Sequence, residues 1–291
     1  MNDIVNTSTV LTYILFADDT NIFYSHTDLN TLVTTLNLEL TKLSSWFKCN
    51  KLSLNVNKTN YIYFKNMNSK NTLDSNIFID GIPLIGKDET KFLGVTIDSN
   101  LTWNSHIRNI CMLVSKGIGI LNKLKFSLQP KSLLTLYNSF ILSHMSYCNI
   151  VWGFSNKTKI TEILNLQIKA LRICSHSHYL AHTDPIFHKL KTLKIFDINT
   201  FQTAIFMYKF STNALPLSFT NIFTYNGSIH TYPTRQSSDL HLTNPKTILA
   251  LKSIRHHGPD IWNKLPSNIQ QSTSLLSFKA LMKKYLLSQY L

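Results

Sequence analysis

The chain has 291 residues, 44% of them hydrophobic, and a formal net charge of +14, which predicts a globular protein of one large domain or two to three small ones. No run of about 18 apolar residues occurs, the best candidate at 133–152 being broken by Asn138, Ser139, Ser143, His144 and Asn149, so a membrane-spanning helix is excluded. The amino terminus lacks the basic-then-apolar layout of a signal peptide, which predicts a cytoplasmic or nuclear protein.

Cys49, Cys111, Cys148 and Cys174 are scattered without a close pair, against both a disulfide framework and a cysteine-rich zinc site. Cys174, His176, His178 and His182 have donor types that suit zinc, but the His176/His178 spacing is not that of a zinc finger, and the segment reads as a solvated polar loop. Charge is split along the chain. Residues 1–100 hold eight Lys against ten Asp or Glu, a net of −2, whereas residues 101–291 hold 21 Lys or Arg against five acids, a net of +16. That asymmetry predicts a cation-holding site followed by a body that holds a polyanion, most simply nucleic acid; the alternative is an ordinary basic surface.

In chain order, residues 11–25 place two short runs rich in Tyr, Ile, Phe and Leu around Ala17-Asp18-Asp19, which predicts a β-hairpin with acid at its tip. Side chains alternate across a strand, so Asp18 is expected to face a site with Asp19 second to it. The competing reading is that each Asp simply bonds its own backbone at a turn. Thr27 or Asp28 can cap a helix carrying Leu29, Leu32, Val33, Leu36, Leu40, Leu43, Trp46 and Phe47 at helical spacing and ending at Asn50. A strand is expected at 61–64, a polar loop at 66–76, a second hairpin turned by Asp80-Gly81, and a further strand at 91–97. Within that last strand Gly94 marks either a close backbone approach or a bulge. Helices follow at 107–126, at 131–152 beside Pro130, and at 160–173, a bundle that leaves Lys116, Lys123, Lys125, Lys131, Lys169 and Arg172 for the surface. On the second of these Leu133, Leu134, Tyr137, Phe140, Ile141 and Met145 are expected to share one side. Beyond it come helices at 186–193 and 195–210, an irregular stretch at 213–245, and a last amphipathic helix at 275–291, with Trp262 expected in the core. Arg235, His256 and His257 are further candidates for phosphate contact.

Phe16-Ala17-Asp18-Asp19-Thr20 resembles the aromatic-Ala-Asp-Asp hairpin of reverse transcriptases, in the form found in non-long-terminal-repeat retrotransposons. The resemblance continues through Trp46, Leu52, Leu54, Asn55, Lys58 and Thr59, then Phe92-Leu93-Gly94. It goes on through the helices around Tyr137, Trp152 and Gln167, and through Gly258-Pro259 and Ile261-Trp262-Asn263, in the manner of the jockey-like and chicken-repeat-like clades. It implies an α+β fold: a partial polymerase palm at 1–100, a helical thumb at 101–178 and a mostly helical carboxyl-terminal extension at 179–291. It further implies catalytic and metal-holding roles for Asp18 and Asp19, with Mg²⁺ as the ion in an intact parent. Lys58 matches the position proposed to protonate the leaving pyrophosphate, against the plainer reading of a turn lysine. Phe92, Leu93 and Gly94 match the primer grip, and Lys116, Lys123 and Lys125 fall on a thumb that would hold an RNA template and an RNA–DNA duplex. In this family the third aspartate and the fingers lie upstream, and Met1-Asn2-Asp3 resembles the Ile-Asn-Asp just before the hairpin. The expectation is therefore a fragment of an RNA-directed DNA polymerase whose intact parent copies RNA into DNA by two-metal nucleotidyl transfer, with the missing amino-terminal part as a partner. The alternative is a truncated, inactive product that binds nucleic acid without specificity.

Overall fold

The computed structural model describes residues 3–17, 19–65, 76–229 and 236–291. Asp18, Arg235 and all but the last residue of the loop expected at 66–76 lie outside them. The chain divides into two compact units, Met1–Leu101 and Thr102–Leu291, the first built of small sheets on a helix and the second helical, a mixture of the α+β kind.

In the first unit β1 (Thr12–Phe16) and β2 (Asp19–Phe23) form the expected hairpin, with Phe16 opposite Asp19 and Thr12 opposite Phe23. Helix α1 (Leu29–Cys49) starts at Asp28, whose carboxylate accepts the Thr31 amide at 2.7 Å. Those bonds from Thr31 hold the Asp28 carboxyl below its usual range. Leu40, Leu43 and Phe47 recur on one face of α1 and pack with Ile4, Ile77 and Ile79 into a small core, which the inward hairpin residues Tyr13, Leu15 and Ile22 cover.

The remaining strands are short. β3 (Asn60–Tyr61) pairs in parallel with β6 (Ile85–Gly86), so the strand expected at 61–64 is cut to the length of its partner. β4 (Phe78–Ile79) and β5 (Ile82–Pro83) form the second hairpin, with Asp80 at φ 51° and Gly81 at φ 73°. Residues 91–97 are not one strand. β7 (Glu89–Phe92) turns at Leu93 and Gly94 into β8 (Val95–Asp98), Phe92 facing Val95. Leu93 lies at φ 44° and Gly94 at φ 83°, two consecutive left-handed residues, which is the turn that matches the twist of a two-residue hairpin. Glycine supplies backbone freedom at this turn, so Gly94 is not a bulge within a strand.

The second unit has one continuous core. Helix α2 (Asn104–Leu124) buries Ile107, Ile110, Val114, Ile118 and Leu121, a three-and-four spacing that makes a single stripe, and packs along α6 (Lys157–Cys174). Between them the expected helix at 131–152 is interrupted. α3 (Pro130–Tyr137) passes into a π-helical turn, Asn138–Leu142, then α4 (Ser143–Ser146) and, after Cys148 at φ 48°, α5 (Asn149–Trp152). Leu133, Tyr137, Ile141 and Met145 recur every fourth residue, a spacing that drifts by about 40° per step on an α-helix. The wider π turn absorbs the drift and keeps all four fully buried. Phe140, expected on that side, is exposed, and Leu134 is only partly buried.

Helices α7 (Thr183–Lys189) and α8 (Ile195–Ser211) follow, then short helices α9 (Asn226–Ile229) and α10 (Ile248–Leu251). α11 (Ile254–Asn263), α12 (Ser267–Gln270) and α13 (Leu275–Ser288) end the chain. Both α11 and α13 rest on α8. A Cβ at Gly258 would lie 2.7 Å from Met207 Sδ, so the glycine lets α11 approach α8. Trp262 is buried as expected, stacked at 6.1 Å on Phe278. Its neighbour Asn263 accepts the Leu240 amide at 3.1 Å and donates to the Leu240 carbonyl at 2.8 Å, standing in for a paired strand. Tyr290 ties down the end of the chain: its hydroxyl donates to Asp197 and accepts the Lys194 amide at 2.9 Å.

The deepest polar link is Gln167 on α6, fully buried. Its amide nitrogen donates to the Tyr137 hydroxyl at 2.9 Å and the Leu193 carbonyl at 2.8 Å, while its oxygen accepts the Ile195 amide at 3.0 Å. Replacing it by leucine keeps the volume and strands three buried groups. Gln167→Leu is expected to lower stability by roughly 3 kcal/mol, read as a shift of the urea midpoint at unchanged slope; a loss under about 1 kcal/mol would contradict the bridging role.

Candidate functional site

The carboxylate hairpin is built as its alternation dictates. Tyr13, Leu15 and Ile22 face the core, and Tyr13 also shares a 2.7 Å hydrogen bond with Thr7. The opposite face carries Ile14, Phe16 and Phe23, all exposed, and Asp19 stands on that outer face because it is the register partner of Phe16. Asp19 is the first residue of β2 and so belongs to the strand rather than to the bend. Ala17 takes φ 53°, a left-handed conformation that costs an L-residue roughly 1–2 kcal/mol. Strain of this kind gathers at functional turns, and here the two-residue hairpin demands it.

The other sequence-predicted residues of this unit sit on separate pieces. Lys58 ends a 3₁₀ turn, Val56–Lys58, whose start is capped by the Asn55 side chain. Its side chain is exposed. Phe92 and Leu93 are half-buried and Gly94 is exposed at the β7–β8 turn. These three pieces share no strand pairing, since each hairpin is its own two-stranded sheet and β3 pairs with β6. Among the described residues no three His, Cys, Asp or Glu side chains gather as a metal site. Asp19 is the described carboxylate of the hairpin tip, and a two-metal centre needs several around two ions about 3.5–4 Å apart. The described residues therefore do not by themselves fit such a centre. The zinc-like cluster is not assembled either: Cys174 is buried with its thiol pushed by burial up to about 12, and donates to the Leu133 carbonyl at 3.6 Å.

In the second unit Lys116 and Lys123 are exposed on α2, on the side opposite its buried stripe. Seven residues apart, they lie two turns and about 10 Å from one another along the helix. Lys125 is half-exposed just past the helix end, its Nζ 4.8 Å from the centre of the Phe126 ring. Lys131 and Lys169 are exposed as expected. Arg172 is not free for a ligand: it is half-buried, and its guanidinium donates to the Ala181 carbonyl at 2.8 Å, closing the loop that holds His176 and His178. His257 is also engaged, stacked on Phe154 at 4.0 Å, and burial lowers its pKa. Phe126 was expected to end the helix; it stands outside it, and the sign was in the sequence, since the apolar stripe at 107, 110, 114, 118 and 121 does not continue onto 126.

The chain is similar to RNA-directed DNA polymerases of Drosophila mobile elements. It is 25% identical over 161 residues to a probable RNA-directed DNA polymerase from transposon X-element of Drosophila melanogaster, over 54% of this chain and 17% of that protein. It is 26% identical over 170 residues to the corresponding protein of transposon BS of the same species, covering 56% and 18%. It is 27% identical over 187 residues to the RNA-directed DNA polymerase from mobile element jockey of Drosophila funebris, covering 62% and 20%. The alignments thus span about a fifth of the length of these curated relatives. They bear out the resemblance to the non-long-terminal-repeat, jockey-like reverse transcriptases. No protein-family model matches the chain, and no solved structure matches it.

Because Asp19 lies on the open face of its hairpin, Asp19→Asn is expected to change stability by no more than about 0.5 kcal/mol. A loss above about 2 kcal/mol in denaturant unfolding would instead make it a structural acceptor.

Proposed function

We propose that this relative of the jockey-like polymerases is the palm-hairpin and thumb portion of an RNA-directed DNA polymerase, and that its own activity is to hold an RNA template and RNA–DNA duplex. The observation that carries the reading is the charge split, −2 over residues 1–100 against +16 over 101–291, together with lysines on the outer face of α2. A helix that commits one face to the core and presents Lys116 and Lys123 on the other offers cations to a phosphate backbone without unpacking anything. In the intact enzyme Asp18 and Asp19 would contribute to holding Mg²⁺, whose chemistry is to activate the primer hydroxyl and neutralise the triphosphate. Lys58 would donate a proton to the leaving pyrophosphate, a role its exposure allows. The Phe92–Gly94 turn would press on the primer strand.

Two outcomes test this. Fluorescence anisotropy over a salt series should show RNA–DNA duplex binding whose affinity falls with a log-log slope of roughly −0.9 per phosphate contacted, equally for unrelated sequences. Lys123→Ala with Lys125→Ala should weaken all sequences alike and flatten the slope; binding that ignores salt, or that prefers one sequence, would refute the reading. Primer extension by this chain alone on an RNA template with Mg²⁺ should give no product, because the described residues assemble no multi-carboxylate centre. Extension abolished by Asp18→Ala would overturn that expectation.

A further inference from the structure

Phe126 is 87% exposed, more than any other aromatic side chain among the described residues. It is not a frayed end. Ser127 and Leu128 both donate their amides to the Leu124 carbonyl at 3.0 Å, and Ser132 and Leu133 donate to the Gln129 carbonyl, so the backbone on either side is fixed between α2 and α3. Leaving a ring of this size in water forfeits burial worth about 1.5–3 kcal/mol. Its surroundings are cationic. The Lys125 ammonium lies 4.8 Å from the ring centre, Lys123 and Lys131 are exposed on the two helices it joins, and no Asp or Glu occurs anywhere from 99 to 161. An apolar protein partner would be met by these unpaired charges, whereas a nucleic-acid strand offers a base to the ring and phosphates to the lysines.

We infer that Phe126, with Lys123, Lys125 and Lys131 around it, is a base-stacking subsite for single-stranded nucleic acid at the α2–α3 turn. The inference rests on the nucleic-acid reading above and adds to it a contact that phosphates cannot supply. Every base presents a π-face, so the contact is tolerant of sequence and needs an unpaired base. On binding, Lys125 exchanges the ring face for a phosphate. Stacking releases no counterions, so its energy appears in affinity without appearing in the salt dependence.

The test uses the full chain and two single-stranded DNA probes of equal length and charge, one with bases and one abasic throughout, each titrated by anisotropy across a salt series. The wild type should bind the base-bearing strand about tenfold more tightly than the abasic one. Phe126→Ala should erase that preference while leaving the salt slope unchanged, and Phe126→Trp should restore it. Because the ring is exposed, unfolding curves should coincide for all three proteins. Equal preference in wild type and Phe126→Ala, or no preference in the wild type, overturns the subsite and leaves the lysine surface standing. Absence of salt-dependent binding to either probe overturns both readings.

Discussion

A carboxamide sealed in an apolar interior must have every one of its hydrogen bonds met, and Gln167 is in that position. Its three partners come from α3, from the strand-like link after α7 and from the first turn of α8. One side chain therefore fixes α6 against the two segments that flank it. With α6 so placed, α2 has a surface to bury its apolar stripe against, and the remaining circumference of α2 is left to water. The outward position of Lys116 and Lys123 is in this sense a consequence of core packing, which fixes the helix backbone that carries them.

The first unit is organised by a different constraint. Three hairpins, at Ala17, Asp80 and Leu93, each enter a two-residue loop through a non-glycine residue at positive φ. Two of them are eased by a following glycine, Gly81 and Gly94. Such turns allow strands of two to five residues to close without a wider sheet, and the exposed Ile14, Phe16 and Phe23 leave the acid-bearing hairpin an apolar outer face beside Asp19.

Much of this was legible in the amino-acid order because burial imposes a period. The alternation around Ala17-Asp18-Asp19 yields the β1–β2 hairpin, Asp28 yields the start of α1, and the spacing from Ile107 to Leu121 yields the face of α2. What escaped detection depends on partners far away in sequence. The π turn at 138–142 is needed only because Leu133, Tyr137, Ile141 and Met145 must meet one core, and helical periodicity reads straight through it. Leu93 gives no sign of a turn, since a leucine at positive φ contradicts its own preference and is enforced by the pairing of Phe92 with Val95. Arg172 looks like a surface cation until the Ala181 carbonyl is seen beside it. For the site the balance is similar: residue types and order gave the carboxylate hairpin and the basic helix, while the company each residue keeps came from the fold.

The central claim is that the basic helical unit, through α2, is the part that grips nucleic acid. Lysine acetylation of the full chain, followed residue by residue by mass spectrometry with and without an RNA–DNA duplex, tests it directly. The account predicts that the duplex protects Lys116, Lys123 and Lys125 strongly while Lys42 and Lys48 of α1, paired with Glu39 and with Asp80 of the β4–β5 turn, keep their reactivity. Protection confined to the lysines of residues 1–101, with those of α2 modified at the same rate in both samples, would contradict it.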